Sequence, residues 1–295
     1  MNMEKRRFGD RKDAKLCRDL NGMNQILIDL KPKRSMSEVY INQKFDVTNL
    51  VEYIKGKNVN ESVDNKITYF HAFMMAVGKV IYNRPLFNRF IANRHMYEHN
   101  NVSISYVMKI SFDDRSEEIM VNMPINEDDT LTTLSDRIRN KVNNVRSKGD
   151  TGKGANDAIQ ILGKLPNIIR VPLVSIFKLF DKWGILPASL VEDNIYYSSM
   201  LVSNIGTLKC DGIYHNVTDF GTCSGIITMG EIKEEIIKAS GKNSKRYVCE
   251  FGVTLDERVA DGFYMIKSLK LLEYILNNPK LLEGRADENI EIKEK

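Results

Sequence analysis

Residues 66–83, KITYFHAFMMAVGKVIYN, carry the clearest periodicity in the chain. Ile67, Phe70, Phe73, Met74, Val77, Val80 and Ile81 recur at three- and four-residue spacings, the pattern of one helical face. Arg84-Pro85 ends that pattern, because the residue before a proline is pushed out of the α region. Upstream, residues 36–46 alternate, with Val39, Ile41 and Phe45 on one side, which predicts a strand. Asp46 or Thr48 can then cap a short helix over NLVEYIKGK. Strand-like runs follow at 102–110 and 118–125. Asp128 to Arg146 predicts a polar helix with Leu131, Leu134, Ile138, Val142 and Val145 on its stripe. Three more strands are expected at 196–208, 223–234 and 245–257, the last with Tyr247, Cys249, Phe251 and Val253 on one face. A helix over 263–277 would pack Phe263, Ile266, Leu269, Leu272 and Ile275. Strands and helices interleaved in this order predict one α+β domain, a mixed sheet flanked by helices.

Two segments break the pattern. SKGDTGKGAN (147–156) is Gly-rich, but it lacks the spacing of a phosphate-binding loop and no strand leads into it, so it reads as a flexible connection. Residues 161–191 are the most apolar in the chain. Charges and three prolines interrupt them, which excludes a spanning helix. Ile176, Phe177, Leu179, Phe180 and Trp183 sit at helical spacings, with Lys178 and Lys182 on another side. The favoured reading is a helix packed on its own domain or on a neighbouring subunit. The other is a surface that touches a membrane or a hydrophobic substrate.

Composition narrows the classes. The 295 residues carry 43 basic and 39 acidic side chains, a net charge of +4 without the concentrated basic face that nucleic-acid binding needs. Cys17, Cys210, Cys223 and Cys249 form no C-x-x-C pair and are too few for a disulfide framework, which points to a reducing, cytoplasmic setting. The N-terminus is charged and has no apolar core of a signal peptide.

The chemistry concentrates in Asp256-Glu257-Arg258-Val259-Ala260-Asp261-Gly262, which leaves a strand and enters a helix directly. This stretch resembles the active-site motif of the acyltransferase (E2) catalytic domains of 2-oxoacid dehydrogenase complexes, Asp-His-Arg-Val-x-Asp-Gly, within the wider His-x-x-x-Asp-Gly signature shared with chloramphenicol acetyltransferases. Five of the six specified positions match, and Glu257 stands where the family has its histidine. Three further motifs occur in the family's order: Pro85 and Asn88 as Pro-x-x-Asn, Ser203-Asn204-Ile205-Gly206 as Ser-Asn-x-Gly, and LLEYILNNPKLLE as the closing helix. Ser203 precedes Glu257 by 257 − 203 = 54 residues. The resemblance covers roughly residues 36–284, with an unusual insertion at about 155–195, an N-terminal extension at 1–35 and a charged tail at 285–295.

The resemblance implies a chloramphenicol acetyltransferase-like α/β sandwich, a homotrimer or a multiple of it, and an acyl-CoA thioester as substrate, bound in a channel between subunits. It also implies that Ser203 donates a hydrogen bond to the tetrahedral oxyanion, that Asp261 anchors the turn through a buried ion pair, and that Glu257 occupies the place of the general base. A carboxylate is a weak base for a thiol at its ordinary pKa of ~4.3, so two readings stay open: a retuned base for a hydroxyl or amine acceptor, or a trimeric binding module without catalysis. Among the histidines, His71 reads as a core residue and His95 with His99 as part of a loop. His215 is the one close in sequence to a matched motif and could replace the base. No ligand spacing suggests a metal. There is no lipoyl attachment site before residue 36.

Overall fold

The computed structural model describes residues 7–109, 118–148, 155–191, 194–239 and 242–292. The chain opens with β1 (Ala14–Leu16) and α1 (Gly22–Leu30). It continues through β2 (Glu38–Asp46), α2 (Thr48–Lys57), α3 (Tyr69–Asn83), β3 (Arg89–Ala92), β4 (His95–His99), β5 (Ser103–Lys109) and β6 (Glu118–Pro124). Then follow α4 (Leu131–Lys148), α5 (Ala155–Gly163), α6 (Asn167–Lys182), β7 (Met200–Asn204), β8 (Gly225–Ala239), β9 (Lys242–Asp256) and α7 (Gly262–Asn277). Six strands form one mixed sheet in the order β2-β9-β8-β7-β5-β6, and β1-β4-β3 form a small antiparallel sheet. Among the described residues only β5–β7 and β7–β8 pair in parallel.

The predicted alternation places one face of the sheet in the core. Ile41, Val253, Ile227 and Val202 are successive cross-strand partners, and Phe251 stacks at 5.2 Å from Phe45 and 5.0 Å from Phe73 of α3. Leu131, Leu134, Ile138 and Val145 of α4 and Leu269, Leu272 and Ile275 of α7 close the same core. Phe263 and Ile266 do not join it: both point outward, because α7 turns its buried stripe to Met265, Leu269, Leu272 and Leu276. His95 and His99 lie in strand β4, not in a loop, since β4 is held between β1 and β3. The glycine-rich connection falls mostly on residues 149–154, outside the described residues.

The opposite face of the sheet is covered by the connection between β7 and β8. That chain approaches so closely that a Cβ on Gly252 would meet the Ile213 carbonyl oxygen at 2.1 Å, and one on Gly212 would meet the Gly252 nitrogen at 2.5 Å. Residues 14–34 are built into the fold, with Ile28 in the core and Arg34 buried. Residues 285–290 are likewise held: the buried Lys79 ammonium donates to the Arg285 carbonyl, and the Ile290 N–H donates to Asn83 at 2.8 Å.

Candidate active site

The turn after β9 is fixed by charge. Asp256 is fully buried, and the Arg258 guanidinium, 1% exposed, donates to both its oxygens at 2.8 and 2.6 Å. Arg258 donates its third bond to the Lys31 carbonyl at 2.8 Å. Arg34, 3% exposed, brings a second guanidinium to 3.8 Å from Asp256 and donates to the carbonyls of Thr218 and Gly221. Burial pulls the Arg34 pKa down, partly countered by the Asp256 carboxylate. Backbone bonds complete the frame, from Asp256 to Ser224 and from Glu257 to Ser37, each at 2.9 Å.

This construction leaves one side chain free to face outward. Leu255, Asp256, Arg258, Val259 and Ala260 are all buried, and Glu257 alone among them is partly exposed. Its carboxylate is not vacant, because the Lys31 ammonium donates to it. Any proton transfer to that oxygen requires Lys31 to yield.

Asp261 is exposed and accepts the Tyr264 N–H at 2.7 Å, which makes it the N-cap of α7. The buried ion pair expected of Asp261 is made by Asp256 instead. The reason is position: Asp256 is still a strand residue on the covered face, whereas Asp261 has already left the sheet. Neither Arg34 nor Lys31 belongs to a motif, and sequence reasoning missed both. The Asp-x-Arg spacing inside the motif was the available signal for half of this cluster.

Ser203 lies half-buried on β7, level with Thr228 on β8 and Gly252 on β9, and on the same face as Thr254. The hydroxyls of Thr228 and Thr254 are buried and have no hydrogen-bond partner among the described residues. Glu257 is five residues beyond Gly252. At ~3.4 Å per residue and ~4.8 Å per strand, this separates it from Ser203 by roughly 17 Å along the strands and about 10 Å across them. One chain does not bring the two together.

The histidines divide by environment. His71 caps α3 through its own ring, with Nδ1 accepting the Thr68 N–H at 3.3 Å, and burial pushes its pKa down to about 4. His99 donates from Nδ1 to the Asn88 carbonyl at 2.9 Å, which leaves Nε2 to accept the Thr222 hydroxyl at 2.9 Å. Burial likewise lowers its pKa to about 4, so its ring is committed as a neutral structural link. His215 is exposed on the connection over the sheet. Its neighbours Asn216 and Val217 bond Glu38, the cross-strand partner of Asp256, so His215 is carried to the end of the sheet that holds Glu257. Burial raises the thiols of Cys223 and Cys249, the latter to about 12, and makes both poor nucleophiles. Among the described residues no cluster of His, Cys, Asp or Glu could hold a metal ion.

A model of the family "2-oxoacid dehydrogenases acyltransferase (catalytic domain)" matches residues 188–283, the stretch that contains Ser203, Glu257 and Asp261. In fold, the chain is similar to a probable dihydrolipoamide acetyltransferase from Listeria monocytogenes 4b F2365, at 14% identity and TM-score 0.59 over 90% of this chain and 95% of that one. It is similar to the dihydrolipoamide acetyltransferase of Azotobacter vinelandii, at 14% identity and TM-score 0.60 over 90% and 93%. It is also similar to a chloramphenicol acetyltransferase, at 13% identity and TM-score 0.52 over 89% and 99%. None of the curated proteins compared with it matches in sequence. The fold is therefore the chloramphenicol acetyltransferase-like sandwich, and the resemblance to the acyltransferase catalytic domains holds in both the C-terminal sequence and the architecture.

Proposed function

We propose that this protein transfers an acyl group from a CoA thioester to a hydroxyl or amine acceptor, in a channel formed between subunits of a homotrimer, with Glu257 in the place of the usual histidine base. The observation that carries this reading is the turn itself. Buried charges and backbone bonds immobilise it, and between Leu255 and Ala260 Glu257 is the one side chain that reaches the surface. A solved structure of this fold describes the cubic core of the pyruvate dehydrogenase multienzyme complex. Association of copies would also resolve the separation of Ser203 from Glu257 within one chain.

In this mechanism the acceptor's oxygen or nitrogen attacks the thioester carbonyl while its proton passes to the Glu257 carboxylate. Ser203 of the neighbouring subunit donates a hydrogen bond to the oxyanion of the tetrahedral intermediate. Collapse forms the ester or amide and breaks the carbon–sulfur bond. The CoA thiolate then takes the proton back from Glu257. Lys31 holds the carboxylate in place between turnovers and releases it when the acceptor arrives. Residues 36–284 act as the acyltransferase unit, and Asp261 supports the site by capping α7.

A second reading follows from the same ion pair. If Lys31 never yields, Glu257 is a structural carboxylate and the protein is a binding module of this fold. Turnover of acyl-CoA, followed by free thiol release in the presence of hydroxyl and amine acceptors, separates the two. Glu257→Gln should lower turnover about 10²–10⁴-fold if the carboxylate is the base. Acyl-CoA binding without turnover in the unsubstituted protein leaves only the module.

A further inference from the structure

Helix α6 carries its apolar stripe on the wrong side for a core helix. Ile168, Pro172, Ile176, Leu179 and Trp183 recur at four- and three-residue steps, the rows that share one face of a helix. That face points to solvent: Ile168 is 83% exposed, Leu179 53% and Trp183 61%. The opposite side is the one that holds the body of the protein. Asp181 is buried there, accepts from the Tyr197 hydroxyl at 2.7 Å and the Gly221 N–H at 2.9 Å, and receives Arg11 on its carbonyl at 2.7 Å. The helix is thus anchored at its C-terminal end with its apolar face outward, so this face does not pack on its own domain.

Charge says what covers this face. Residues 155–191 contain Lys164, Arg170, Lys178 and Lys182 against two carboxylates, Asp157 and Asp181, and Asp181 is buried. Lys178 and Lys182 are exposed on one flank of the stripe. Lysines are depleted in the interior of protein–protein contacts. They are favoured, together with an exposed tryptophan, where an amphipathic helix lies in the headgroup region of a bilayer. No described helix is long and apolar enough to cross a membrane. We propose that α6 docks the protein flat on an anionic lipid surface, with Ile168, Leu179 and Trp183 inserted at the acyl boundary and Lys178 and Lys182 on the headgroups. This inference is independent of the chemistry assigned to Glu257.

Trp183 is the sole tryptophan of the chain and reports directly on its own environment. The whole protein is mixed with phosphatidylcholine vesicles, with and without phosphatidylserine, and followed by tryptophan emission and cosedimentation. The expected result is a blue shift and pelleting with phosphatidylserine vesicles that fade as salt is raised. Lys178→Gln with Lys182→Gln should weaken binding by roughly 20–30-fold, at about 1 kcal/mol per cation near the surface. Leu179→Ser should weaken it as well, and all three positions are exposed enough to leave folding intact. Equal binding to both vesicle types, or no binding to phosphatidylserine at low salt, overturns the proposal. So does a Trp183 that is shielded from acrylamide without lipid and becomes accessible when Leu179→Ser dissociates the assembly, since the occupant would then be a second copy.

Discussion

Asp256 faces two guanidinium groups in a site closed to water, and its neutralisation is the most informative perturbation of the turn. Asp256→Asn keeps the shape of the side chain. It turns two charge-assisted bonds from Arg258, at 2.8 and 2.6 Å, into at best one neutral bond, because the amide nitrogen would oppose a donor. It also leaves Arg258 and Arg34, both almost wholly buried, without their shared counter-charge. Removing one partner of such a buried pair costs about 3–5 kcal/mol. For a domain of this size each kcal/mol lowers Tm by roughly 2–4 °C, so a fall of about 6–20 °C is expected. Asp261→Asn provides the contrast. Asparagine caps a helix as well as aspartate does, and only the dipole interaction of an exposed charge is lost, about 0.3–1 kcal/mol. Thermal and urea unfolding of the two variants side by side decides the matter. If Asp261→Asn destabilised the protein as much as Asp256→Asn, the assignment of the buried anchor to Asp256 would be refuted.

Other outcomes follow from the same geometry. Sedimentation at micromolar concentration should report a trimer or a multiple of it, and a monomer would sink the shared site of Ser203 and Glu257. Lys31→Met should change stability by less than about 1 kcal/mol, since the pair is partly exposed, yet it should change the rate of turnover if Glu257 is the base. The unfolded His71 ring titrates near 6.5 and the folded one near 4, so its stabilisation is complete above pH 6.5 and is lost as pH falls towards 4. His71→Gln preserves the capping pattern of Thr68, and it should remove roughly 3 kcal/mol of acid sensitivity between those limits, read from urea midpoints across pH. If Glu257→Gln retained full turnover, His215→Gln should abolish it. Loss in neither variant would exclude both residues as the base.

The elements whose burial is one-sided were legible in the sequence. Val253 and Phe251 had to face the core because strand side chains alternate, and Leu131, Leu134 and Ile138 had to share a stripe because a helix repeats every 3.6 residues. The motif around Glu257 was also legible, since its residues are contiguous. The rest depended on contacts that no local pattern encodes. Arg34 and Lys31 reach the turn from more than 200 residues away in sequence, and Asp256 outranks Asp261 as the buried acid because it remains on the covered face of the sheet. Periodicity assigned Phe263 and Leu179 to apolar stripes, but a stripe does not state which way it points. Only the packing of the whole chain decided that Leu269 faces the core while Phe263 and Leu179 face out.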